Sequence, residues 1–270
     1  SDNRPKLVMD FMDLDSDKWK QYSDSSTFLM KWIYKRESAL LKKYEKKVYS
    51  FFDICFFISQ AEVDLFCQNN ECIENPLVIG TGIENESFMP ALRAPENDDP
   101  VFIFTGVMDY KPNVDAVFWF TENVWPGITR KYPESRFIIA GMNPVSGILA
   151  LAKIKGIEVT GFVDDILPYY HQSDFFIAPL RVARGVQIKI LQAFSCGLPV
   201  IATSMGAEGI DYTNKKNILI ADTPDAFFDS IEMLIKNKTL YKSLRNNALE
   251  LMKNQYSRDV KLAILGNILK

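Results

Sequence analysis

Four cysteines, one histidine and a formal net charge of -3 are little chemistry to spread over 270 residues, and each scarcity excludes something. Cys55, Cys67, Cys72 and Cys196 form no Cys-x-x-Cys pair, and His171 has no cysteine near it in sequence. A zinc site is therefore not indicated, and the thiols are expected to be scattered core residues in a reducing compartment. A charge this close to zero sets up no field that would gather a polyanion, so nucleic acid is not implied. No apolar run approaches the ~20 residues that cross a bilayer, and no signal-peptide pattern opens the chain, which leads to a cytoplasmic expectation. Gly106 stands alone rather than in Gly-x-Gly-x-x-Gly, and no acidic residue closes the strand ending in Ala140-Gly141. The fingerprint of a dinucleotide-dependent dehydrogenase is thus missing. No carboxylate pair at a telling spacing suggests a glycosidase.

Hydrophobic residues make up 47% of the chain and aromatics 13%, enough to bury a substantial core. An alternating segment predicts a strand from Leu7 to about Leu14, a helical pattern follows from Phe28 to Tyr49, and residues 52 to 59 read as a buried strand. Ser59 is placed to cap a helix from Gln60 to Cys67. A polar, proline-bearing stretch from Ala91 to Pro100 reads as a linker, with the boundary near Arg93. Beyond it, strands at 101–106 and 136–141, in Ile157-Glu158-Val159-Thr160-Gly161, in Asp174 to Leu180 and in Pro199 to Thr203 alternate with helices. Those helices are expected at Val114–Lys131, Val145–Lys155, Asp164–Gln172 and from about Gly185 onward. This alternation predicts an α/β domain with a doubly wound parallel sheet. The tail from Pro224 to Lys270 is almost wholly helical in pattern, with breaks near Lys238 and Ser257.

In such a sheet a ligand lies beyond the carboxyl ends of the strands, where loops meet helix N-termini. Three of the strands run into loops where glycine permits close backbone approach: Gly106, Gly141 and Gly185. The last loop carries Arg181 and Arg184 and feeds a helix with Lys189 about one turn in. Unpaired amides at a helix start and the positive end of its dipole favour an anion. Arginine adds a forked donor and lysine a point charge. The combination points to a diphosphate, with Gln192, one turn beyond Lys189, placed to meet ribose hydroxyls.

At these residues a resemblance appears. FTGVMDYKPN, GFVDDILPYY and FFIAPLRVARGVQIKILQAFSCGLPVIATSMGAEGI, from about Val101 to Leu219, resemble the donor-binding half of GT-B glycosyltransferases. The similarity is to retaining family 4, group 1 type, in the branch of bacterial sugar transferases of polysaccharide synthesis. Residues 7–90 resemble the later part of the acceptor-side domain of the same family. The resemblance implies a GT-B-like α/β fold with one complete Rossmann-like domain and part of a second. Residues 1–93 would be the partial acceptor-side domain and 94–256 the donor-binding domain, with 257–270 a helix packing back on the first. About a hundred residues precede Leu7 in the family, an estimate from ordinary domain size, so the chain is expected to begin in mid-domain. A homodimer or swapped strand is then expected to cover the open sheet edge.

Carried over residue by residue, the resemblance makes Gly106 the glycine after the first donor-domain strand, Val163 the residue whose backbone meets the base and Lys189 the phosphate cation; with the loop and helix residues read above, the expected donor-binding set is Gly106, Val163, Arg181, Gly185 and Gln192, and Lys189 and Arg184 are expected to be catalytic. No metal and no cofactor is implied beyond a UDP- or GDP-sugar as donor, and the acceptor is a glycan or lipid-linked glycan. Arg184 and Gln192 stand where the family pattern has two glutamates eight positions apart. An amide offers one oxygen acceptor where a carboxylate offers two, so a second reading is a catalytically degenerate nucleotide- or sugar-binding domain.

Four features remain outside that scheme. Asp13-Leu14-Asp15 has the spacing of a metal-holding pair but is read as a strand end with acidic caps. The helix from Lys31 to Lys47 carries seven cations with Trp32 and Tyr34, which suits either a solvated face or an anionic membrane surface. His171 is read as structural. Trp119 and Trp125 are read as packing residues.

Overall fold

The computed structural model of the protein describes residues 4–24, 26–69, 72, 76–80, 82–83, 88–90, 99–183 and 185–268, and its strands form two parallel sheets. The first region contains β1 (Val8–Phe11), α1 (Asp15–Asp24), α2 (Phe28–Tyr49), β2 (Ile54–Phe57), α3 (Gln60–Asn69) and β3 (Leu77–Val78), with sheet order β1-β2-β3. Its core is built on Phe11, Phe57 and Phe66, whose rings lie 5.1 to 6.1 Å apart.

The first strand stops at Phe11, short of the expected Leu14, because two buried carboxylates pull the chain off the sheet. Glu62 accepts from the Leu14 amide at 2.9 Å, and Glu45 accepts from both the amide and the hydroxyl of Ser16, at 2.9 and 2.5 Å. The acceptors stand at the start of α1, a helix that hydrophobic periodicity did not disclose.

Cys67 and Cys72 are joined in a disulfide, whereas Cys55 and Cys196 are buried thiols. This corrects the expectation of four scattered thiols and removes the premise from which a reducing compartment was argued.

The second region runs β4 (Val101–Thr105), α4 (Lys111–Asn123), α5 (Trp125–Lys131), β5 (Arg136–Ala140), α6 (Ser146–Leu151), β6 (Ile157–Gly161) and α7 (Leu167–His171). It continues with β7 (Phe175–Ala178), α8 (Ile188–Ser195), β8 (Val200–Ala202), α9 (Ser204–Ala207) and β9 (Leu219–Ile220). Its strands are almost continuously apolar and buried, as expected for a parallel sheet covered on both faces. The single helix expected from Val114 to Lys131 is two, because Pro126 sits in the first turn of α5 and breaks the ladder at Val124. Fully buried Trp125 and half-buried Trp119 pack there, Trp119 against Phe227 at 5.5 Å.

The sheet order is β6-β5-β4-β7-β8-β9, all parallel. The chain therefore winds outward from β4 to β6, returns to the other side of β4 as β7, and winds outward again. The reversal lies between β4 and β7, and the crevice that accompanies such a point opens above their carboxyl ends.

After β9 come α10 (Pro224–Lys236), α11 (Lys238–Leu251), a π-helical turn at Met252–Tyr256 and α12 (Arg258–Ile268). The Ile83 amide donates to the Tyr256 carbonyl at 2.8 Å, and the Arg258 amide to the Ile83 carbonyl at 3.2 Å, which ties the tail to residue 83. Of the expected linker, residues 91–98 lie outside the described residues. The two sheets' regions also meet across α1. Lys18 lies 5.5 Å from the centroid of the Tyr110 ring, Lys111 lies 5.4 Å from that of Tyr22, and the Gln21 amide reaches the Ala183 carbonyl at 3.4 Å.

Candidate functional site

The reversal point brings the loop after β4 opposite the loop between β7 and α8. Backbone approach is closest at Gly141, whose φ of +146° and position leave no room for a side chain: a Cβ there would lie 1.8 Å from the Gly106 carbonyl oxygen. Gly106 in turn faces two polar side chains. A Cβ placed on it would lie 2.5 Å from Asn113 Nδ2 and 3.1 Å from Lys189 Nζ. The missing side chain is what lets Asn113, from the first turn of α4, and Lys189, from the first turn of α8, meet beside the loop.

Lys189 points inward. Its Nζ donates to Asn113 Oδ1 at 2.5 Å and stands 4.5 Å from the centroid of the Phe104 ring. Burial drives its pKa down to about 7, and no carboxylate among the described residues offsets that desolvation. An ammonium so placed has an unmet demand for negative charge. Asn113, itself buried, donates through Nδ2 to the Val107 carbonyl at 2.9 Å.

The other expected site residues are distributed less evenly. Gly185 has φ +63°, and the Asp13 carboxylate closes on it from the first region: a Cβ there would lie 1.8 Å from Asp13 Oδ1. Gln192 accepts through Oε1 from the Tyr170 hydroxyl at 3.2 Å, and that hydroxyl lies 2.9 Å from Thr105 Oγ1. The amide oxygen expected to receive ribose hydroxyls is therefore already shared with a buried phenol at the end of β4. Arg181 turns away from Lys189 and forks onto Asp115, Nε to Oδ2 at 2.9 Å and Nη2 to Oδ1 at 2.5 Å. It lines a cavity of about 360 Å³ with Tyr22, Lys111, Pro112 and Val182. Arg184 lies outside the described residues. Val163 follows β6, the edge strand two places from β4, and is half-buried.

Sequence reasoning missed Asn113 and Tyr170, and it read Asp13 only as an acidic cap. A proline followed by an amide-bearing residue at a predicted helix start was the available signal for Asn113. Nothing local distinguished Tyr170 from Tyr169. His171, read as structural, donates from Nε2 to the Met89 carbonyl at 2.8 Å. The two carboxylates of the Asp-Leu-Asp triplet diverge: Asp13 faces Gly185, while Asp15 is exposed at the start of α1 with Lys18 Nζ 3.9 Å away.

A family model described as Glycosyl transferases group 1 matches residues 99–237, just over half of the chain. The chain belongs to the group 1 glycosyl transferases. Among curated relatives, an uncharacterized 44.6 kDa protein in the cps region of Klebsiella pneumoniae is 24% identical over 250 residues, 87% of this chain and 61% of that protein. A phosphatidyl-myo-inositol mannosyltransferase of Propionibacterium freudenreichii subsp. shermanii is 27% identical over 139 residues, 49% of this chain and 34% of its own. The chain thus spans less than two thirds of either relative. Among solved structures, Anabaena Alr3699/HepE in complex with UDP superposes with a TM-score of 0.75 at 15% identity, covering 98% of this chain and 72% of that one. Sucrose-phosphate synthase from Thermosynechococcus elongatus gives 0.69 at 15%, covering 85% and 61%. At such identities the likeness establishes architecture. This group 1 glycosyl transferase has the GT-B-like arrangement, with the six-stranded Rossmann-like sheet complete and three described strands of the other.

Proposed function

We propose that the protein moves a sugar from a nucleoside-diphosphate sugar, UDP- or GDP-linked, to a hydroxyl of a glycan or lipid-linked acceptor, with retention of anomeric configuration. The observation that carries this reading is the Lys189 ammonium, held half-buried and without a counter-ion among the described residues, beside the glycine-bared loop at the sheet's reversal point. In the transfer, the bond from the anomeric carbon to the diphosphate breaks, the acceptor oxygen forms the new bond, and its proton is lost. Negative charge grows on the departing diphosphate, where Lys189 and the first-turn amides of α8 stabilise it, the kind of contribution that dominates such reactions. The UDP bound in the HepE structure, whose fold this chain shares, supports placing a nucleoside diphosphate here.

The reaction as proposed needs no metal; the divergence of Asp13 and Asp15 supports this. Titration calorimetry with UDP, GDP and their sugars tests the site. Binding should be lost in Lys189→Ala, and binding that survives this change refutes the assignment. A second reading, a degenerate binding domain, is favoured by the engagement of the Gln192 oxygen with Tyr170. Slow hydrolysis of the bound sugar nucleotide would distinguish an enzyme from that domain.

A lipid-linked acceptor suits the start of α2, where Phe28 is 95% exposed, Leu29 69% and Trp32 65%, with Lys31, Lys35 and Arg36 among them. Such a helix end inserts its apolar residues while its cations meet anionic headgroups. Flotation with phosphatidylglycerol vesicles at low salt should carry the protein upward, and a Phe28→Ser/Trp32→Ser variant should stay behind.

A further inference from the structure

We infer that Asn113 is a positioning residue for the donor site: as a neutral acceptor on Lys189 and a donor to the Val107 carbonyl, it fixes the ammonium against the Gly106 loop without neutralising it. The inference deepens the proposed function and rests on it.

The geometry is specific. The Asn113 carboxamide uses both ends at once, Oδ1 accepting from Lys189 Nζ at 2.5 Å and Nδ2 donating to the Val107 carbonyl oxygen at 2.9 Å. Asn113 is 5% exposed, so this bridge is made away from bulk water. It crosses between α8, which carries the cation, and the loop after β4, where a ligand would approach. The lack of a side chain at Gly106 is what admits it, since any Cβ there would lie 2.5 Å from Nδ2.

The groups that meet the ammonium among the described residues are the Asn113 amide and the Phe104 ring, while the Tyr170 phenol reaches only the backbone carbonyl of Lys189, at 3.5 Å. Burial holds that phenol protonated at neutral pH, so none of the three carries charge. A carboxylate of the same shape at 113 would hold the lysine just as firmly but would cancel the charge that an anion needs. An aliphatic residue would leave the charge and lose the aim. Asparagine is the residue that does both jobs.

The test compares Asn113→Asp, Asn113→Ala and Lys189→Ala with the unmodified chain, by calorimetric titration of UDP between pH 6 and 9 and by thermal melts without nucleotide. Asn113→Asp should weaken UDP binding at pH 7 by about thirtyfold and Asn113→Ala by about fivefold, the range expected when a charge-assisted contact is cancelled or loosened. In Asn113→Asp the pH at which affinity begins to fall should also move up by more than about one unit, because a neighbouring carboxylate holds the proton on lysine. A purely structural role predicts the opposite order, since aspartate is the closer match in shape, and leaves the pH midpoint where it was. That order, or wild-type binding in both variants, overturns the inference. Should the alanine variant melt before it can be titrated, Asn113→Ser, which keeps a neutral oxygen, takes its place with the same expected ranking. UDP binding retained in Lys189→Ala overturns the proposed function instead, so the two failures are distinguishable.

Discussion

Nucleotide binding should consume a proton at Lys189, and this gives the site a pH signature that an ordinary surface lysine could not produce. Burial lowers the Lys189 pKa from 10.5 to about 7 in the nucleotide-free protein. A diphosphate beside it favours the ammonium and raises that value again. The sign follows: the bound state holds more protons than the free state above pH 7, so affinity falls as pH rises through that value. If the bound lysine returns to near its ordinary pKa, half of the free protein must be reprotonated at pH 7 and nearly all at pH 9. The affinity should then fall by at most about 50-fold between those two pH values. A neutral amine that still donates one hydrogen bond would limit the fall to about tenfold. Tyr170 adds nothing in this window, because its burial pushes it upward. Calorimetry of UDP binding in buffers of different ionisation enthalpy should report uptake of roughly half a proton at pH 7, approaching one at pH 8.5, since UDP itself is fully ionised well above the phosphate pKa of ~6. A dissociation constant flat from pH 7 to 9 with no proton uptake would refute the reasoning.

The same burial makes Lys189 costly when the site is empty. Lys189→Met should raise the melting temperature of the nucleotide-free protein at pH 7. The pKa drop corresponds to an upper limit of roughly 5 kcal/mol at ~1.4 kcal/mol per pH unit, of which about 1–2 is expected because the half-buried residue keeps some solvent contact. The stabilisation should fade as pH rises from 7 toward 10.5, the ordinary lysine value, because the unfolded chain then gives up the same proton at ever smaller cost; a melting temperature lowered at pH 7 would contradict this. Gly141→Ala must resolve both φ +146° and a 1.8 Å clash with the Gly106 carbonyl. A loss of about 3–5 kcal/mol is expected, read as a melt roughly 10 °C lower, and an unchanged melt would mean that the two loops are not so closely set.

The second sheet was largely legible because its strands are buried on both faces and therefore read as unbroken apolar runs, such as Phe102-Ile103-Phe104 and Phe175-Phe176-Ile177. The helix between Val114 and Lys131 was misjudged in a simple way: periodicity continues through Pro126 even though the hydrogen-bond ladder does not. The helix at Asp15–Asp24 was hidden because Glu45 and Glu62, remote in sequence, supply the acceptors at its start. At the site, Lys189 and the glycines were readable from their places relative to strand ends. Arg181 was not: it lies in the loop after β7 while its partner Asp115 lies on α4, and only the fold brings the two together. Asn113 escaped for the same reason, since its significance comes from Lys189, 76 residues away.

The central claim is that the Lys189 ammonium, aimed by Asn113 across the bared Gly106 loop, receives a diphosphate. A crystal structure of the protein with UDP addresses it directly. The account predicts diphosphate oxygens within hydrogen-bond reach of Lys189 Nζ and of the first-turn amides of α8; a diphosphate bound elsewhere, with Lys189 still turned only to Asn113 and Phe104, would contradict it.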